Sequence, residues 1–186
     1  MPFGSLWLPV VVSAVAVFLA SSLLHMVLRY HRADYRRLSD EERVGEALSK
    51  AAPGPGLYAL PYCDPKEMKD PAVQERYRRG PVGFVVLLPN GLPVLGKHLA
   101  LWSGLCLLVS FTAAYVARHA LSPGADGLTV MRITGTVAFA GYGLGYFQDS
   151  IWKGFPWANS FRGLLDALIY GVLTGLLFRL LWPGAA

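Results

Sequence analysis

Charge is scarce in this chain: Asp, Glu, Lys and Arg make up 16% of its residues, against roughly 25% in an ordinary soluble domain. With 54% hydrophobic residues beside it, that scarcity argues against a surface that meets water on every side, and a membrane protein is expected. Cysteine is nearly missing too. Cys63 stands in a polar stretch and Cys106 in an apolar one, so neither a disulfide framework nor a thiol-based metal spacing can be built from them. Nucleotide loops, nucleophile elbows, zinc spacings and HExxH are absent, as are the CAAX and myristoylation signatures. Motif alone therefore gives no catalytic residue, no metal and no cofactor to expect.

The net charge of +5 is not spread as a nucleic-acid footprint would be. Twelve of the seventeen Lys and Arg lie between Arg29 and Lys97, interleaved with nine Asp and Glu. Gathered in this way they read as a topology signal, and no nucleic-acid partner is expected. The expected surroundings are the lipid bilayer.

What the chain does have is long apolar runs. "LWLPVVVSAVAVFLASSLLHMVL", Leu6 to Leu28, contains no Asp, Glu, Lys or Arg and as a helix reaches roughly 34 Å, enough to cross a bilayer. A cleaved signal peptide would need a positive region before a shorter run. Three further spans are expected at Leu99 to Val116, Ile133 to Trp152 and Leu164 to Trp182. Trp7, Trp102, Trp152, Trp157 and Trp182 fall at or near these ends, where an indole prefers the headgroup layer. The 29–97 loop and the short Lys153 to Arg162 loop hold fourteen Lys and Arg, while Arg118, Arg132 and Arg179 lie on the other side. The first side is expected to be cytoplasmic, with both termini outside.

The expected fold is an all-α membrane protein. It comprises a first transmembrane helix over 1–29, a small mixed helical and irregular cytoplasmic loop domain over 30–96, and a three-helix transmembrane region over 97–186. Within the loop, Ser39 and Glu42 read as a capping box for a helix running to about Ala51, stopped by "PGPG" at 53–56. Asp64, Pro65 and Glu67 open a second helical turn. Asp70 and Pro71 open a third, closed by Arg78, Arg79 and Gly80. "PVGFVVLLPNGLPVLG", Pro81 to Gly96, is too short to span. It is expected as a hairpin turning at Asn90-Gly91, as a segment dipping into the headgroups, or as packing under the loop.

Few residues invite chemistry. His25 and His98 stand at the cytoplasmic ends of spans one and two, a depth that would suit a bis-histidine cofactor. Asp149 and Asp166 lie at similar depth with Lys153 and Arg162 between them, and a buried carboxylate needs a partner; Arg162 to Asp166 has helical i, i+4 spacing. Arg179 reads as an anchor at the outer surface. Gly163, Ala167, Gly171 and Gly175 recur every four residues in span four, and Gly141 and Gly145 do so in span three. Such faces allow close helix approach, either between these two spans or onto another membrane protein or a second copy. Tyr142, Tyr146 and Tyr170 fill the hollows beside glycine or line a flat slot.

"HMVLRYHRADYRRL", "YCDPKEMKDP" and "DALIYGVLTGLLFRLLWP" resemble segments of a family of small uncharacterised bacterial four-helix inner-membrane proteins with a cytoplasmic loop after the first span. The resemblance implies this topology and a bacterial inner (plasma) membrane, and no substrate, cofactor or catalytic residue. The function expected is that of a non-enzymatic accessory, assembly or scaffold component of a membrane complex. One alternative is a small oligomeric transporter or channel subunit using Asp149, Asp166 and His25. Another is a membrane enzyme or cofactor-binding protein with a cytoplasmic-face site built from His25, His98, Cys63 and Tyr62.

Overall fold

A computed structural model describes residues 3–28 and 30–184. The chain is mostly helical (72%) and divides into two compact units, one of residues 1–35 and 94–186, the other of residues 36–93.

In the first unit, α1 (Trp7–Ser22) continues into a π-helical turn over Leu23–Val27, closed by Leu28 N–H donating to the Leu23 carbonyl. A short 3₁₀ turn follows at Tyr30–Asp34. Counting its 3₁₀ start and π turn, the segment Gly4–Val27 is 24 residues long. With α4 (Leu95–Ala120) and α7 (Trp157–Leu181), it is one of three helices long and apolar enough to cross a membrane.

The expected third span is not one uninterrupted helix. Its residues form α5 (Gly127–Gly143) and α6 (Gly145–Lys153), separated at Leu144. Gly141, Gly143 and Gly145 flank the break, and residues with no side chain hold a helix less firmly than any except proline. α4 exceeds its expected bounds at both ends and α7 at its start, because hydropathy marks the apolar stretch and not the polar residues, Lys97 and Arg162 among them, near the helix starts.

The helices approach through small residues, the kind of contact that associates helices in lipid. A Cβ on Gly171 would stand 2.8 Å from the Gly135 carbonyl oxygen, and one on Gly175 2.6 Å from that of Met131, so α5 and α7 touch backbone to backbone. Ala167 meets Gly143, and Gly163 meets the Tyr146 ring. Two expected members of the packing face do something else: Gly141 abuts Val109 on α4, and Gly145 faces open space. Gly135, which no four-residue pattern marked, takes their place. Between α1 and α4, Ser13 and Ser110 share a 2.6 Å hydrogen bond, and the Ser110 hydroxyl also lies 2.9 Å from the Val10 carbonyl.

At one end of this bundle Leu6, Val10, Ala114, Ala117, Val130, Phe178 and Trp182 form a buried apolar cluster. Asp126 caps α5 there by accepting from the Thr129 N–H, and this bond holds its carboxyl below the usual carboxylate range. Arg179 is exposed with its stem laid across Gly127. Further along, Trp102, Tyr142 and Tyr170 pack ring on ring, Tyr142 and Tyr170 edge to face at 5.3 Å.

The second unit contains α2 (Glu41–Ala51), β1 (Gly56–Leu60), α3 (Pro71–Arg79) and β2 (Gly83–Leu87). Three of its local signals act as their chemistry dictates: Asp64 and Glu67 form a complete capping box, Asp70 caps α3, and Gly80 ends it at φ 63°. Two expectations need correction. The cap of α2 is Asp40, not Ser39, because the Asp40 carboxylate takes the Arg43 N–H. The apolar run after Pro81 makes no hairpin at Asn90-Gly91. Its residues Gly83–Leu87 pair antiparallel with Gly56–Leu60, Leu57 opposite Val86 and Ala59 opposite Phe84. Ladder bonds to a ready strand satisfy more backbone groups than a two-residue turn into the proline-broken "GLPVLG" could.

Candidate functional site

A cluster of ionisable side chains gathers around Asp166 at the end of the bundle opposite the Phe178 cluster. Asp166, three turns into α7, is 2% exposed. The burial of a carboxylate in a helix this apolar requires partners, and the segment just beyond α1 supplies them. The Tyr30 hydroxyl donates to Asp166 Oδ1. His31 Nε2 lies 2.8 Å from Oδ2, and His25 Nε2 lies 3.7 Å from the same oxygen. Among the described residues, the two imidazoles are the ion-pair partners of Asp166.

The π turn and the 3₁₀ turn explain how two histidines six positions apart meet. Their rings stack at 4.3 Å between centroids and 5° between planes. Each is also held on its outer side: His25 Nδ1 lies 3.0 Å from the Ser21 carbonyl oxygen, and His31 Nδ1 lies 2.7 Å from Asp34 Oδ2. Arg162 Nε donates to Asp34 Oδ1 at 2.6 Å and its Nη2 to Asn159 Oδ1 at 3.0 Å. A chain of contacts thus runs Arg162, Asp34, His31, Asp166, Tyr30. Its members His31 and Asp34 line a cleft of about 450 Å³, together with His25, Tyr146, Asp149 and Asn159, among others.

Several expected pairings are replaced. Arg162 does not pair with Asp166; it turns to Asp34, whose carboxylate is more accessible than the buried one and already fixed by His31. Asp149 pairs with Lys153 at 2.6 Å. His25 does not join His98, which stands exposed in the first turn of α4, outside the cluster. Cys63 and Tyr62 belong to the other unit. Desolvation, then the Glu67 charge, holds the Cys63 thiol above its ordinary value, the opposite of what an activated nucleophile needs. Tyr30, His31 and Asp34 were not foreseen as site residues, since they lie in a stretch whose basic residues read only as a topology signal. The one usable signal was Asp166 itself, a carboxylate in a helix apolar enough to cross a membrane, with no partner of its own within the apolar part of that helix.

The arrangement offers three metal-ligating residues, His25, His31 and Asp166, with donor atoms all within 4.8 Å of one another. It also offers an accessible cleft beside them. No protein-family model, curated protein or solved structure matches the chain, so what the cluster does has to follow from its own geometry.

Proposed function

We propose that the chain is a four-span protein of the bacterial inner membrane, α5 and α6 together making an interrupted third crossing. We further propose that it works as a binding protein whose site is the cleft lined by His25, His31 and Asp34, with Asp166 buried behind the two histidines, at the cytoplasmic end of the bundle. The side carrying fourteen Lys and Arg sets that orientation. The observation that carries the reading is the convergence of two histidines on one buried carboxylate at the wall of a cleft. A salt bridge that merely fixed the turn between helices would have used Arg162, four residues away on the same helix. Ionisable groups held within an apolar helix in this manner mark sites more often than they mark structure.

The test uses His25, whose side chain is 49% exposed and whose removal leaves no buried void. In the native host deleted for this chain, His25→Ala fails to restore growth or fitness while the purified variant melts at the wild-type temperature. Full restoration by His25→Ala would overturn the reading.

A second reading, an accessory, assembly or scaffold component, is favoured by one observation in the loop unit. Phe84 and Val86 of β2 and its flanking residues Val82 and Leu88 are all exposed, with Leu57 exposed opposite Val86. An apolar strand face of this kind suits an apolar surface on a membrane-protein partner. The glycines of α7 support it less, since α5 takes up most of that face within the same chain. Isolation in mild detergent tests it: a stoichiometric partner lost on Val86→Asp supports it, and recovery of the chain alone removes it.

A further inference from the structure

We infer that His25 Nε2, His31 Nε2 and the Asp166 carboxylate bind a divalent first-row transition-metal cation, with an open coordination position facing the cleft. This deepens the binding reading above and rests on it.

The argument starts from protons. A backbone carbonyl can only accept, so His25 Nδ1, 3.0 Å from the Ser21 oxygen, carries a hydrogen. The Asp34 carboxylate likewise only accepts, and it already takes the Arg162 N–H, so His31 Nδ1 carries one too. In neutral imidazoles the two Nε2 atoms are then bare lone pairs, and they lie 2.8 Å (His31) and 3.7 Å (His25) from Asp166 Oδ2. Tyr30 occupies Oδ1. Three electron-rich atoms facing one another need positive charge between them.

A proton between His31 Nε2 and Asp166 Oδ2 would bridge only that 2.8 Å contact and leave His25 Nε2, 3.7 Å from the same oxygen, unengaged. A single metal cation satisfies all three donors at once. The outer contacts are those that metal-binding histidines use: one ring nitrogen on the metal, the other donating to a carboxylate or a backbone carbonyl, which fixes tautomer and ring orientation. Here His31 has the carboxylate and His25 the carbonyl.

The donor set also narrows the ion. Two imidazoles and one carboxylate suit zinc, iron, cobalt or manganese better than calcium or magnesium, which prefer oxygen throughout. Three protein ligands fall one short of a closed tetrahedral site, and sites of that kind keep a position for water or substrate. His25 and His31 line the cleft, so that position opens onto it.

The experiment uses the full chain in detergent, purified through a tag without histidine and stripped of metal. Titration with Zn²⁺ by calorimetry, and with Co²⁺ by its visible absorption, should each show one saturable site. His25→Ala and His31→Ala should each weaken it by at least about tenfold, and Asp34→Asn, which removes an outer partner, by about tenfold. His98→Ala and His119→Ala should leave it unchanged. The absence of a saturable site for both ions, or wild-type affinity in the His25→Ala and His31→Ala variants, would overturn the inference. The two readings fail separately. If neither ion binds while His25→Ala still fails to complement, the metal is excluded and the cleft remains a site for another ligand. If His25→Ala loses the metal yet complements fully, the metal stands and the functional reading falls.

Discussion

The two ends of the helical bundle are built from opposite materials. At the end formed by Leu6, Val130, Phe178 and Trp182 the interior is apolar, the charges Asp126 and Arg179 stay outside, and each does ordinary work as a cap or as a stem laid over glycine. At the other end the charge lies inside. Asp166 is buried, its partners come from a segment more than 130 residues away in sequence, and a cleft opens beside them. Charge placed outward at a helix end needs no explanation beyond capping and anchoring, whereas charge turned inward against lipid-facing helices costs stability and calls for a use. The contrast is the ground for placing the proposed binding at the polar end and not at the apolar one.

Substitutions can break that comparison or sharpen it. The largest effect is expected from Gly175→Leu, since its Cβ alone would sit 2.6 Å from the Met131 carbonyl oxygen and backbone cannot give way there. The folded state should be lost, seen as aggregated material in size-exclusion chromatography. Gly145→Ala is its counterpart in open space and should elute and melt as the wild type or slightly above it. Phe178→Ala comes next. It empties a fully buried site in the apolar end and should cost about 3 to 5 kcal/mol, with Co²⁺ binding by the surviving folded protein unchanged. Lost cobalt binding there would show that the two ends are not independent.

At the polar end the effect on stability should be smaller and the effect on binding larger. Asp166→Ala leaves the Tyr30 hydroxyl without its acceptor and should cost about 1 to 3 kcal/mol. Asp166→Asn keeps the shape and removes the charge. Its melting temperature should lie near or above that of the wild type while Co²⁺ binding disappears, because a buried charge contributes little net stability by itself. A large loss of stability in Asp166→Asn would mean that the carboxylate is structural after all.

The smallest effect belongs to Asp126. Its carboxyl is held below the usual range in the folded state, so its contribution is fully present above the unfolded value near 3.8 and is lost as pH falls through the lower folded value. Stability measured from pH 5 down to pH 2 should show a shallow decline that Asp126→Asn flattens without changing the plateau, since Asn caps a helix about as well.

What could be read in the sequence was what depends on near neighbours. Asp64 with Glu67, Asp70 with Pro71, and Gly80 after two arginines act within three or four residues, and the structure keeps all of them. The three long apolar helices are equally local, being a matter of length and composition. The pairings across the chain were hidden for physical reasons. "PGPG" stops α2, but nothing in it announces that Gly56–Leu60 will find a partner strand after α3. Gly135 is isolated in α5 and acquires meaning only opposite Gly171. Asp166 showed its need for a partner, yet Arg162 had the right spacing and the wrong commitment, because His31 had already drawn Asp34 into place for it.

The π turn at Leu23–Val27 has a consequence for helical phase. An α-helix advances about 100° per residue, and a turn closed by an i to i+5 bond absorbs one residue beyond the α count. Everything after Leu23 is therefore rotated by roughly one residue's worth relative to the face that Ser13, Val17 and Ser21 present to their neighbours. The turn acts as a spline between two angular settings, one chosen for packing and one for aiming His25. A single-residue deletion inside it would restore a regular helix and leave the hydrophobic face undisturbed, while turning the imidazole away from Asp166.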